Sequence, residues 1–113
     1  MTVDEIYLNI GQSIADAIEQ DNWTKAWLNL EFVGTGVVGY TGDYEIGNVT
    51  HNISVRKIPR DIRDWIRELH QITTAKGNNR WNRAVFTLTP DGKFDMEFKW
   101  DQELQDEVER LSR

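Results

Sequence analysis

Apolar residues near the amino terminus recur every three or four positions, which is the spacing of a helix with one buried face. They are Ile6, Ile10, Ile14, Ala17 and Ile18. Just before them, Thr2 and Glu5 have the spacing of a capping box, in which each side chain accepts a hydrogen bond from the other's backbone N–H. The pattern therefore predicts an amphipathic helix over residues 3–20.

From residue 25 onward, the period changes to the two-residue alternation of a strand. The residues on one side are Ala26, Leu28, Leu30 and Phe32, and those on the other are Trp27, Asn29, Glu31 and Val33. We predict a strand over residues 25–33. Trp27 stands on the otherwise polar side. Either a second layer covers it, which is the commoner arrangement, or it is an exposed anchor for a partner.

Glycines follow this strand in the order G-x-G-x-x-G over residues 34–39. A dinucleotide site with this motif requires a helix to begin there. Residues 40–45 are instead strand-like and rich in turn formers, so no βαβ unit can be drawn. We therefore interpret the glycines as hairpin and bulge positions.

Two short strands are expected after the glycines, over about 37–45 and 48–56. Gly42-Asp43 and Gly47-Asn48 are both turn-forming pairs, so the register between these strands stays open. His51 has no second histidine or cysteine at ligand spacing. We interpret it as a solvent-facing strand residue rather than a metal ligand or a catalytic base.

A second amphipathic helix is predicted to open at Ile58-Pro59, because proline is tolerated in the first turn of a helix. Its apolar stripe consists of Ile58, Ile62, Trp65, Ile66, Leu69, Ile72 and Thr73. His70 is expected at the boundary of this stripe. Gly77 lies near the end of the helix, where glycine often provides the C-cap.

The carboxy-terminal part predicts a β-hairpin followed by a short helix. Thr89-Pro90-Asp91-Gly92 is a turn sequence, since proline presets φ, aspartate bonds the nearby backbone and glycine accepts positive φ. Beyond the turn, the core-facing residues are Phe94, Met96, Phe98 and Trp100, and the outward ones are Asp95, Glu97 and Lys99. Asp101 is a candidate N-cap for a last helix with apolar residues Leu104, Val108 and Leu111.

The predicted order of elements is α-β-β-β-α-β-β-α. Runs of strands joined by hairpins form antiparallel sheets. We therefore expect an α+β fold in a single domain, residues 1–113, with about five antiparallel strands and the helices packed on one face.

Charge is distributed unevenly along the 113 residues, whose net charge is −6. Residues 1–55 carry −7, residues 56–83 carry +5 and residues 84–113 carry −4. An acidic surface favours a basic partner and disfavours nonspecific binding of nucleic acid, which requires neutralisation of phosphates.

Cysteine is absent, which excludes disulfides, thiolate metal sites and thiol nucleophiles. No apolar run approaches the ~20 residues of a membrane span, and the acidic amino terminus is unlike a signal peptide. We therefore expect a cytoplasmic protein with no membrane partner and no cofactor.

The strongest hint of enzymatic chemistry is Pro90-Asp91 followed by Glu97-Phe98-Lys99, which has the letters of the PD-(D/E)xK nuclease signature. Asp91 lies in the turn six residues before Glu97, about 20 Å away along a strand, whereas two ligands of one metal must both lie within ~2.6 Å of it. Serines are few: Ser13 and Ser112 in predicted helices, Ser54 in a strand region. We expect no enzymatic activity and assign no catalytic or metal-binding residue.

Over most of its length the sequence resembles the YezG-like immunity proteins, a family of small acidic bacterial antitoxins. The resemblance is a matter of order and pattern rather than of a chemical signature. The resembling residues are Ile6-Tyr7-x-x-Ile10-Gly11-x-x-Ile14, Trp23, Ala26-Trp27-Leu28-Asn29-Leu30-Glu31, Trp65, Leu69 and Phe86-Thr87-Leu88-x-x-Asp91-Gly92-Lys93-Phe94-Asp95-x-Glu97-Phe98-x-Trp100-Asp101. The chain departs from the family in its basic middle, residues 56–83.

The resemblance implies an antitoxin that neutralises a cognate secreted toxin domain, often a basic nuclease, by blocking its active site or substrate cleft. It also implies a role in contact-dependent competition between bacteria. Polar faces and the last helix supply the candidate toxin-binding residues. They are Trp27, Asn29, Glu31, Asp95, Glu97, Asp101, Glu103, Asp106, Glu107 and Glu109.

Three alternatives stay open. A basic surface on and after the second helix could dock an acidic toxin or a nucleic acid; its residues are Arg60, Arg63, Arg67, Arg80 and Arg83. The chain could be a small metal-dependent, nuclease-like enzyme, or an aromatic face could form a homodimer.

Overall fold

The computed structural model describes residues 1–34 and 36–111; Thr35, Ser112 and Arg113 lie outside the described residues. Within that part, the helices are α1 (Val3–Ala17), α2 (Ile62–Thr73) and α3 (Gln102–Leu111). The strands are β1 (Lys25–Val33), β2 (Val37–Ile46), β3 (Val49–Ile53), β4 (Arg83–Leu88) and β5 (Phe94–Lys99). The predicted order of elements and the α+β class are confirmed.

The strands form one antiparallel sheet in the spatial order β3-β2-β1-β4-β5. β1 is central: Leu28 pairs with Gly42 of β2 and with Phe86 of β4. Hairpins join β1 to β2, β2 to β3 and β4 to β5, while α2 lies in the connection from β3 back to β4. Because paired residues point to the same side of a sheet, this register sorts every strand residue onto one of two faces.

The core lies between one face of the sheet and the helices α1 and α2. The isoleucines of the predicted stripes other than Ile72, with Leu28, Leu30 and Phe86 of the sheet, are buried there. Trp81, which is 1% exposed, is also buried and donates from Nε1 to Thr73 Oγ1 at 2.8 Å. The sheet therefore has one face covered by these two helices.

Helix α1 begins as predicted but ends earlier. Thr2 and Glu5 form the capping box, with Glu5 N donating to Thr2 Oγ1 at 3.2 Å and Thr2 N donating to Glu5 Oε1 at 3.0 Å. The predicted end at residue 20 is wrong, because Ile18 is already extended at φ −92° and ψ 113°. Ile18 remains buried, so apolar spacing alone could not locate the end of the helix.

Helix α2 starts at Ile62, so the predicted opening at Ile58-Pro59 is wrong. Ile58 is extended, at φ −94° and ψ 127°, because the proline after it disfavours the helical region. A short 3₁₀ helix, Val55–Lys57, precedes Ile58, and β3 accordingly ends at Ile53 rather than near residue 56. Ile72 is 41% exposed and does not belong to the buried stripe.

The turns lie where glycine allows them. Gly47, at φ +60°, forms the β2–β3 turn with Asn48, which settles the choice between the two predicted pairs. Gly42 is instead inside β2. The predicted turn before β5 is confirmed, since Gly92 N donates to Thr89 O at 3.0 Å and Gly92 has φ +85°.

Beyond the turn, Phe94 points to the core side but is 44% exposed, because β5 is an edge strand. Asp101 caps α3 as predicted, with Leu104 N donating to its Oδ1 at 3.1 Å. Leu111 is 76% exposed, so the predicted apolar side of α3 does not extend to its end. In the described part of the chain, no helix is both long enough and apolar enough to cross a bilayer.

Candidate functional site

The face of the sheet opposite α1 and α2, here called the open face, carries the outward residues of all five strands. None of the described residues on it is buried, whereas the other face forms the core. An antiparallel sheet with one solvated face alternates in this way. The open face is therefore the largest regular surface on which a partner could dock.

Trp27 lies on the central strand of this face, two residues after the start of β1. Across the sheet it is flanked by Asp43 of β2 and Thr87 of β4, and Thr87 pairs with Asp95 of β5. No second layer covers it within residues 1–34 and 36–111: it stays partly exposed, with Lys25 Nζ 5.6 Å from its ring centroid. This row of paired residues, Asp43-Trp27-Thr87-Asp95, therefore places an aromatic ring between two carboxylates.

The neighbouring row contains Asn29 between Thr41 and Val85, with Glu97 beyond Val85. Asn29 Nδ2 donates to Thr41 Oγ1 at 3.4 Å. Five predicted toxin-binding residues therefore share the open face. They are Trp27, Asn29, Glu31, Asp95 and Glu97.

A cluster of charged residues, here called the charged corner, lies at the edge of the open face near the carboxy-terminal end of β5. Arg83 lies between two acids, with its Nη1 3.1 Å from Glu31 Oε1 and its Nε 2.7 Å from Asp101 Oδ2. The hydrogen bond from Arg83, with a second from the Leu104 N–H, lowers the pKa of Asp101. The same bond to Asp101 raises the pKa of Arg83, so Arg83 and Asp101 each favour the charged form of the other.

Asn82 fixes the start of α3 at this corner. It is buried; its Nδ2 donates to Asp101 O at 2.8 Å, and its Oδ1 accepts from Asp101 N at 2.7 Å. Four further predicted candidates follow on α3 and are exposed: Glu103, Asp106, Glu107 and Glu109. The acidic helix therefore begins at the edge of the open face.

Four acids of the open face have no basic partner at ion-pair distance among the described residues: Asp43, Glu45, Asp95 and Glu97. Asp43 and Glu45 were not predicted as candidates. Their alternation with Tyr44, which faces the core side, is the sequence signal that could have identified them. The face is thus acidic around a partly exposed tryptophan.

The residues of the alternative basic surface have different neighbours. Arg67 donates to Gly36 O at 2.7 Å and to Asp64 Oδ1 at 2.9 Å. The guanidinium carbon of Arg80 lies 3.7 Å from the Trp100 ring centroid. Arg83 pairs with Glu31 of the open face and with Asp101 just after β5. Arg60 and Arg63 lie together beside Tyr40.

The residues that match the nuclease signature lie apart in the fold. The Asp91 carboxylate accepts from Thr89 Oγ1 and, at 3.3 Å, from Lys93 N inside the turn, and these bonds lower its pKa. Glu97 and Lys99 lie instead on the open face. Within the described ranges, no three histidine, cysteine, aspartate or glutamate side chains are grouped closely enough to hold a metal ion.

The two histidines lie as predicted. His51 is exposed on β3, with its ring 5.2 Å from that of Tyr44. His70 is partly buried: its ring stacks on Phe32 at 3.7 Å, and its Nε2 lies 3.0 Å from Trp81 O. Burial, opposed by this hydrogen bond, lowers the pKa of His70.

No protein-family model and no curated protein matches this chain.

Proposed function

We propose that this protein is an immunity protein that binds a cognate toxin domain through the open face and neutralises it. The observation that carries the proposal is the uncovered, acidic sheet face that presents Trp27 on its central strand. A sheet face without a covering layer is available to a partner, and its charge selects the kind of partner. We therefore propose a toxin with a basic surface, such as a nuclease.

The size of the surface supports a stable complex. Five strands at ~4.8 Å spacing make the sheet about 19 Å wide, and β1 is about 30 Å long at ~3.3 Å per residue. The open face thus measures roughly 500 Å² in projection. With the exposed side of α3 it approaches the ~800 Å² per partner of a standard interface.

The arrangement of residues supports tight binding. Tight interfaces depend on a few aromatic or charged anchors near the centre, where the partner excludes water. Trp27 is an aromatic side chain on the central strand, and Asp43 and Asp95 stand on either side of it in the same row. Unpaired acids around such an anchor accelerate encounter with a basic partner and reject acidic ones.

Neutralisation needs no chemistry from this chain. A nuclease must present cationic groups to the phosphates of its substrate. An acidic face that covers those groups competes with the substrate directly, and one that binds beside the cleft blocks access to it. The protein would act in the cytoplasm of the producing cell, and the absence of cysteine is compatible with that compartment.

The proposal predicts that a large secreted protein with a toxic carboxy-terminal domain is encoded immediately upstream of this gene, and the test uses that domain. We expect the chain to bind that domain in calorimetry and to restore growth when the two are co-expressed. Trp27→Ala should weaken binding by about 30-fold, since loss of a central anchor costs 2 kcal/mol or more. Asp95→Lys with Glu97→Lys should weaken it by at least about 10-fold, through slower association.

The matched control is Asp16→Lys with Asp21→Lys, which changes the net charge equally but lies on and after α1, away from the open face. We expect this control to bind normally. Folding of every variant is checked by circular dichroism and urea unfolding. Equal loss in both charge-reversed pairs would mean that only total charge matters, and normal binding by folded Trp27→Ala would remove the open face from the interface.

A further inference from the structure

A second candidate site lies on the other side of the sheet, where a groove of about 440 Å³ opens between β2 and the start of α2. We propose that this groove binds a small phosphorylated ligand of nucleotide size. It is lined by Tyr40, Val55, Arg56, Ile58, Arg60 and Arg63. We call it the arginine groove.

The three arginines are available to a ligand. Among residues 1–34 and 36–111, no acid lies at ion-pair distance from Arg56, Arg60 or Arg63, although the nearby Lys57 pairs with Glu19 at 2.8 Å. The chain has 19 acidic residues and only 13 basic ones. The groove therefore gathers three guanidinium groups without an acidic partner on a protein whose net charge is −6.

The chemistry of the lining favours phosphate. A guanidinium group is planar and presents paired donors that match the oxygens of a phosphate, and it keeps its charge at any physiological pH. Arg63 also lies over the Tyr40 ring, 5.9 Å from its centroid, which orients this side chain toward the groove. The acid nearest in sequence is Asp61, which is exposed, while Asp64 is paired with Arg67 at 2.9 Å.

The dimensions favour a small ligand, and the wall, which is more polar than apolar, still offers it an apolar part. Small-molecule sites are usually clefts of ~300–1,000 Å³ with mainly apolar walls and a few polar groups. Here the Tyr40 ring, the buried Ile58 and Val55, which is 47% exposed, supply apolar surface beside the arginines. A nucleoside diphosphate has both the charge and the flat ring that such a groove accommodates.

A long nucleic acid fits less well, because its affinity depends on many phosphate contacts along the strand. The described cations next to the groove are already engaged, Lys57 with Glu19 and Arg67 with Asp64. The arginine groove is thus a local cationic site on an acidic protein. It lies on the helix side of the sheet and is independent of the open face.

The test titrates the full chain with ADP, pyrophosphate and adenosine, followed by calorimetry and by backbone amide NMR shifts. We expect ADP and pyrophosphate to bind with shifts centred on residues 55–63, and adenosine not to bind. Arg60→Gln with Arg63→Gln should weaken binding by at least about 10-fold, since each hydrogen bond to a charged group is worth ~1.5–3 kcal/mol.

Arg110→Gln is the matched control, because Arg110 is exposed on α3; this variant should bind as the wild type does. Thermal unfolding checks the fold of each variant, and Arg63→Lys, which keeps the charge but loses the paired donors, should retain only part of the affinity. No binding of ADP or pyrophosphate, or equal loss in Arg110→Gln, would overturn the site. Tighter binding of a short oligoglutamate or of an RNA strand than of ADP would overturn the ligand class in favour of an acidic peptide or a nucleic acid.

Discussion

Asn82 is the residue through which the acidic helix α3 is attached to the sheet. Its side-chain amide donates to Asp101 O at 2.8 Å and accepts from Asp101 N at 2.7 Å, while the side chain is 2% exposed. Asn82→Ala removes both bonds and leaves the N–H and the C=O of Asp101 without that partner. The same Asp101 carries the carboxylate that binds Arg83 at 2.7 Å, so the charged corner of the open face depends on it.

The expected cost follows from these two bonds. A net hydrogen bond contributes about 1 kcal/mol, and a buried polar group left without its partner costs about 1–3 kcal/mol. We therefore expect Asn82→Ala to lower the free energy of unfolding by about 2–3 kcal/mol, against a typical total of ~5–15 kcal/mol. Urea unfolding measures this difference, and hydrogen exchange of the Asp101 amide reports the local opening of α3.

Two further variants test whether the Asn82 amide is responsible for this loss of stability. Asn82→Asp keeps the acceptor for Asp101 N but loses the donor and sets a carboxylate against a carbonyl oxygen, so it should cost at least as much. Asn22→Ala is the matched control, because Asn22 is exposed and outside the helices and strands; it should change stability by less than about 0.5 kcal/mol. If Asn82→Ala behaves like Asn22→Ala in both assays, the amide does not hold α3 and the reasoning fails.

Two other predictions concern stability. Because burial holds the pKa of His70 below its ordinary value of 6.5, the unfolded chain takes up the proton first, and stability should fall as pH drops below about 6.5. Urea unfolding between about pH 5 and pH 7, above the range where carboxyl groups titrate, should show this fall in the wild type and in His51→Gln but not in His70→Gln; an unchanged slope in His70→Gln would contradict it. Gly42→Val should cost about 1–3 kcal/mol by overpacking, since a Cβ there would meet Ile53 Cδ1 at 3.1 Å and Leu28 Cδ1 at 3.2 Å. Gly39→Val, on the open face, should cost less in the same assay, and the reverse order would show that the contacts do not decide the cost.

The elements that sequence predicted well are those set by neighbours along the chain. The capping box of Thr2 and Glu5 and the turn from Thr89 to Gly92 depend on side chains and backbone within four residues. Their residue types were therefore sufficient to predict them. The start of α2 was missed because two local rules compete there. Pro59 suits a first helical turn, but it also forces Ile58 out of the helical region, and the second effect prevails.

The candidate site was predictable only as separate faces of separate strands. Alternation placed Trp27 and Asp95 on polar sides, but only the register brings them into one row, through Thr87. The ion pairs of Arg83 could not be predicted, because its partners, Glu31 and Asp101, are 52 and 18 residues away along the chain. Contacts of that range depend on strand order, which no local pattern specifies.

Strand β2 carries both proposed sites, since its consecutive residues point to opposite faces of the sheet. The Tyr40 side chain points to the helix side and lines the arginine groove. The Thr41 side chain points to the open face, where its Oγ1 accepts a hydrogen bond from Asn29 Nδ2 at 3.4 Å. The two sites therefore share a strand but no side chain, and their charges are of opposite sign. A basic partner on the open face and a phosphorylated ligand in the groove do not compete for the same atoms. Loss of one by mutation of its own residues should leave the other to be measured on the same folded protein.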